Sequence, residues 1–127
     1  MFDLITVLTY SRSLRRACDA RSADHDNAEA EEEARVALLR ISNGMGVTIH
    51  PERPGRWNGT EQLARDVEAA AVALAATSDG SFQQVGAIAT LALRFGAIAN
   101  RLGFDIDPDS DSDARVAVEG RTMEAAE

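Results

Sequence analysis

Apolar and small residues recur at three- and four-residue steps along most of this chain, the spacing of a helix with one buried face. From Leu4 to Arg21 the positions are Leu4, Val7, Leu8, Ser11, Leu14 and Cys18, which predicts a first helix. A second is predicted within "SADHDNAEAEEEARVALLRISNG", with Ser22 or Asp24 as N-cap, acids in the early turns where the helix dipole favours them, and Arg40 in the last turn before a stop at Asn43-Gly44. Its buried face is predicted to be Ala30, Ala34, Ala37, Leu38 and Ile41. Asn58 or Thr60 then caps a third helix carrying Leu63, Val67, Ala70 and Leu74, stopped by Ser78-Asp79-Gly80. The fourth, about Phe82 to Leu102, has the longest stripe: Val85, Ile88, Leu91, Ala92, Phe95, Ile98, Ala99 and Leu102.

Between the second and third helices, "NGMGVTIHPERPGRWNG" (residues 43–59) holds four Gly and two Pro, which breaks the helical period and leaves only Met45 to Ile49 as a short strand. The expected architecture is therefore all-α: a compact bundle of about four helices over residues 1–107, a long Gly/Pro-containing loop between helices 2 and 3, and a disordered acidic tail over residues 108–127 with a short helix at Ala114 to Glu119. Composition agrees, since 45% of residues are hydrophobic but only 5% aromatic, so the core has to be built from Ala, Leu, Ile and Val. At 127 residues the chain is one domain's worth and can bury a core without disulfides.

A net charge of −8 argues against direct nucleic-acid binding, which needs a concentrated basic face. The charge is zoned: residues 24–33 carry six acids and no base, and residues 105–127 carry eight acids against two Arg. Zoning of this kind steers a basic partner or simply confers solubility. All 13 basic residues are arginine, so any cationic contact can be planar and bidentate. Cys18 is the only cysteine and the apolar N-terminal stretch lacks a signal peptide's basic start, so a soluble cytoplasmic protein with no membrane span is expected. Arg94 interrupts the fourth helix as a membrane candidate.

Glu29, Glu32 and Glu33 lie three and four residues apart on the second helix, so they share a face and can hold Mg²⁺ through carboxylate oxygens, with Asp66 of the third helix completing the set; the other reading is a solvated acidic first turn. Glu29-Ala30-Glu31-Glu32 is an E-x-x-E pair, and "RLGFDID" (residues 101–107) follows the fourth helix. In these two phrases the chain resembles the short all-α, MazG-like nucleoside-triphosphate pyrophosphohydrolases. The resemblance implies a Mg²⁺-dependent pyrophosphohydrolase using Glu29, Glu32, Glu33 and Asp66. It breaks at the second motif, where Ala87 and Thr90 stand near the positions that would supply E-x-x-D.

The loop phrase "HPERPGRW" sets Trp57 beside Arg53 and Arg56, a combination that can bind a partner, stack a base or clamp a phosphate, or in which Trp57 anchors the loop with its indole N–H on backbone. Cys18, on the apolar face of the first helix, reads as a structural thiol, His25 between Asp24 and Asp26 reads as a surface residue near a helix start, and His50 has no second His or Cys at zinc-ligand spacing. The alternating aspartates of "FDIDPDSDSDARV" fail as a calcium loop: starts at Asp105, Asp107 or Asp109 meet Ser110, Ser112 or Ala114 where glycine is needed, and no glutamate at the twelfth position. Gly86 and Gly96 sit inside the fourth helix at about 1 kcal/mol each relative to Ala, which predicts that another helix backbone comes close, either within the bundle or across a homo-oligomer seam with Ala89. The favoured reading is an acidic helical interaction protein, self-associating and binding a basic protein as an adaptor or a nucleic-acid-mimicking inhibitor. It needs no cofactor; the pyrophosphohydrolase needs Mg²⁺.

Overall fold

In the computed structural model, which describes residues 2–107, Asp3 opens the first helix by accepting hydrogen bonds from both the backbone N–H and the hydroxyl of Thr6, at 3.2 and 2.7 Å. These bonds favour the ionised carboxylate and lower its pKa, the hydroxyl contributing most. Four helices follow: α1 (Leu4–Ala23), α2 (Ala28–Met45), α3 (Thr60–Ala75) and α4 (Phe82–Arg101). Two three-residue strands, β1 (Ile49–Pro51) and β2 (Phe104–Ile106), pair antiparallel with Ile49 opposite Ile106 and Pro51 opposite Phe104. The fold is all-α, as the periodicity predicts. The expectations for the tail from Pro108 onward lie outside the described residues.

α1 packs against both α2 and α3, and α3 packs against α4. One hydrophobic cluster draws on all four helices and both strands: Val7, Leu14, Leu38, Ile41, Val67, Leu91, Phe95 and Ile98 are fully buried, and Ile49 and Phe104 close one end. Each such side chain contributes roughly 1.5–3 kcal/mol of transfer free energy. The predicted face of α2 is buried at every position, from Ala30 to Ile41. On α4 the outcome is divided, since Leu91, Phe95, Ile98 and Ala99 are buried while Val85 is 53% exposed.

The helix ends differ from the sequence expectation in instructive ways. α1 runs past Ser22, and Asn27 rather than Ser22 or Asp24 caps α2, its side chain accepting from Ala30 N at 2.9 Å. α2 does not stop at Asn43-Gly44 but at Gly46, which takes the left-handed conformation (φ 77°) that favours glycine. Gly44 has a different task. A Cβ there would lie 2.9 Å from Val7 Cγ2 and 3.2 Å from the Asp3 carbonyl oxygen, so its missing side chain lets α1 cross α2 closely. The crossing is tied by Asp3 N donating to Gly44 O at 2.6 Å.

The long loop is stitched to the end of α4. Glu52 N and Arg53 N both donate to Gly103 O, at 2.8 and 3.1 Å, and Arg56 N donates to Arg101 O at 2.8 Å. Gly103 combines φ 89° with a Cβ position that would run into the Arg53 carbonyl, so no other residue fits there. The strand predicted at Met45 to Ile49 instead begins at Ile49, because α2 runs on through Met45 and only Ile49–Pro51 lies opposite Phe104–Ile106.

Candidate functional site

The carboxylates proposed as metal ligands are not brought together. Glu29, Glu32 and Glu33 stand exposed on the outer face of α2, and Glu32 faces Arg35 at 3.7 Å. Asp66, on α3, accepts instead from Gln62 Nε2 at 3.0 Å. Among the described residues no three His, Cys, Asp or Glu side chains gather where they could hold a metal ion. The acid of this turn that does structural work is Glu31, which pairs with Arg21 of α1 and lies 3.7 Å from Arg35.

Arg21 and Arg35 converge on Trp57. Their guanidinium carbons lie over the indole ring at 5.4 and 5.8 Å from its centroid, within cation–π range, and the ring packs on the core cluster. Trp57 is thus the loop's anchor, held by two cations from α1 and α2. Its indole N–H has no hydrogen bond among the described residues, so the expected backbone bond is not formed; packing on the core and the two cations over its face hold the ring. Neighbouring Arg53 turns the other way, to Asp105 of β2 at 2.9 Å, and braces the strand pair. Arg56 is exposed and its guanidinium has no partner among the described residues.

Beside Trp57 the ends of three helices leave a cleft of about 580 Å³, lined among others by Arg21, His25, Arg56, Glu61 and Arg101. Arg101 is fixed by donating Nε and Nη2 to the Asn58 carbonyl, at 2.9 and 2.6 Å. α3 begins here without a side-chain cap: neither predicted cap serves, since Gly59 holds that place and the buried Thr60 hydroxyl donates back to Trp57 O at 2.8 Å. Apart from Trp57 and Arg56, the cationic wall was not legible in the chain, because Arg21, Arg101 and the loop are far apart in sequence. Thr60 also reaches Cys18, whose fully buried thiol has its pKa pushed up to about 11, mainly by desolvation. The structural-thiol reading fits that environment.

The second feature is on α4. Its first twelve residues, Phe82 to Leu93, contain no charge, yet Phe82 is 94% and Leu93 55% exposed. Gly86 and Ala97 lie exposed on the same strip. The three seam positions do not behave alike: Gly86 faces open space, Ala89 is fully buried, and half-buried Gly96 meets only the Ile106 side chain at 3.9 Å. No second helix backbone of the same chain approaches Gly86 or Gly96, so the close approach predicted within the bundle is absent there and occurs at Gly44. By length and composition α4 is also the one described helix able to cross a membrane, but its Leu91, Phe95 and Ile98 belong to the bundle core. Comparison of the chain with protein-family models, with curated proteins and with solved structures finds no match.

Proposed function

We propose that this protein is an interaction module that self-associates through α4. The observation that supports this reading is the uncharged, exposed strip of Phe82, Gly86, Leu93 and Ala97 in a chain of which 27% is charged. At steps of four, seven and four residues these positions share one face of the helix, and its large and small residues complement each other when two copies run antiparallel. A centre between residues 89 and 90 sets Leu93 opposite Gly86 and Phe82 opposite Ala97. The one exposed hydroxyl at that centre, Thr90, is satisfied by Gly86 O at 3.0 Å, so pairing strands no donor. A single helix face is small for an interface, so the affinity is of micromolar order.

The register has its own test. Under mild oxidation, Gly86→Cys protein mixed with Leu93→Cys protein should form a disulfide-linked dimer faster than either variant alone. Equal rates in all three samples contradict the antiparallel register.

A second role, binding of a basic protein by the acidic turn of α2, is favoured by the exposure of Glu29, Glu32 and Glu33. In its specialised form the carboxylates stand in for the phosphates of a nucleic acid and the protein acts as an inhibitor or adaptor. Such binding weakens steeply with salt, and salt-insensitive capture of a basic partner argues for α4 instead. We place this activity in the cytoplasm, where a lone buried thiol such as Cys18 stays reduced. The pyrophosphohydrolase reading gains no support from the scattered carboxylates.

A further inference from the structure

We propose that the cleft beside Trp57 binds a small phosphate-type oxyanion. Three arginines, Arg21, Arg56 and Arg101, line it with one acid, Glu61, and Glu31 pairs with Arg21 from outside the lining, in a protein whose net charge is −8. Such a local reversal of sign concentrates anions where the rest of the surface repels them. Two of the arginines are held in place: Arg21 by Glu31 behind it, and Arg101 by the Asn58 carbonyl. Arg56 keeps its full set of side-chain donors for a ligand, since no described residue takes them. Arg21 and Arg101 also sit in the last turns of α1 and α4, where they offset the negative ends of those helices.

The first turn of α3 opens on the same cleft through Gly59 and Glu61. With no side-chain cap at Gly59, the N–H groups of Glu61 and Gln62 have no acceptor among the described residues, and the positive end of α3 adds to the arginines. Volume and chemistry together select the ligand class. About 580 Å³ admits a phosphomonoester or a pyrophosphate, and planar guanidinium donors match tetrahedral oxyanions in a bidentate manner. A nucleobase is disfavoured as the recognised group because Arg21 and Arg35 already lie over the Trp57 ring. The phosphate is read, and what it is attached to is not.

Calorimetric titration of the full chain at low salt with inorganic pyrophosphate, AMP and ribose 5-phosphate tests this. Pyrophosphate should bind with a dissociation constant of about 1 mM or tighter, and the two monoesters should bind equally. Arg56→Gln should weaken pyrophosphate about fivefold or more, and Glu61→Gln, which removes the one acid lining the cleft, should strengthen it about threefold or more. Arg94→Gln, on the exposed side of α4, should leave binding unchanged. No heat or saturation with pyrophosphate up to about 10 mM overturns the proposal. So does an equal loss in Arg56→Gln and Arg94→Gln, which marks diffuse attraction rather than a site. All three variants change exposed or half-exposed side chains, and retained thermal unfolding confirms that a loss is local.

Discussion

α1 and α4 are both 20 residues long and each buries five residues, although α4 is much the more apolar of the two. α1 carries Arg12, Arg15, Arg16, Asp19 and Arg21 and still buries Val7, Ser11, Leu14, Ala17 and Cys18 completely, because α2 and α3 both pack against it. α4 has only Arg94 and Arg101 as charges, but leaves Phe82, Val85 and Leu93 more than half exposed. Its main helical neighbour is α3 alone. Apolar content therefore does not decide burial here, since each helix buries five residues and the surplus apolar positions of α4 face outward. Exposed apolar surface of this kind is what a further neighbour would cover.

The sharpest way to break this comparison is within α4 itself. Phe95→Ala, on the buried face, should cost about 3–5 kcal/mol in chemical denaturation, whereas Phe82→Ala should stay within about 0.5 kcal/mol for the monomer. Similar losses would show that Phe82 is packed after all. Next comes the crossing of α1 and α2. Gly44→Val should destabilise by about 2–4 kcal/mol because its branches have nowhere to go between Val7 and Asp3, and a neutral result would remove the close approach from the account.

Cys18 probes the interior between α1 and α3. Its thiol ionises near 9.0 in the unfolded chain and near 11 in the fold. A group kept neutral by folding stabilises fully below the unfolded pKa, so stability should be nearly constant up to about pH 9 and fall by about 2 kcal/mol as pH rises to 11. Cys18→Ala should lack that part of the decline in thermal melts across the same range. The smallest effect is the most telling for α4's open side. In the monomer Gly86→Ala, into free space, should stabilise by about 0.5–1 kcal/mol through helix propensity, opposite in sign to Gly44→Val.

These contrasts also mark what could be read from the chain. The buried face of α2, Ala30 to Ile41, was legible because its period is carried by many residues at once. Its end was not, since two glycines two residues apart compete as stops and only Val7, from another helix, shows what Gly44 is for. β2 was missed because Phe104–Ile106 is too short to show an alternating pattern and its partner lies some 55 residues away by register. In the candidate cleft, Trp57 and Arg56 were visible as a local phrase. Arg21 and Arg101 were not, because only the packing of the α1 and α4 ends around the loop gathers them.

The central claim is that the bare strip of α4 is a self-association surface, and sedimentation velocity over a concentration series tests it most directly. The wild-type chain should shift from monomer to dimer over roughly micromolar to millimolar concentrations, and Leu93→Glu, which sets a charge opposite Gly86, should stay monomeric with unchanged unfolding. A wild-type chain that remains monomeric throughout, or a dimer that Leu93→Glu leaves intact, would contradict it.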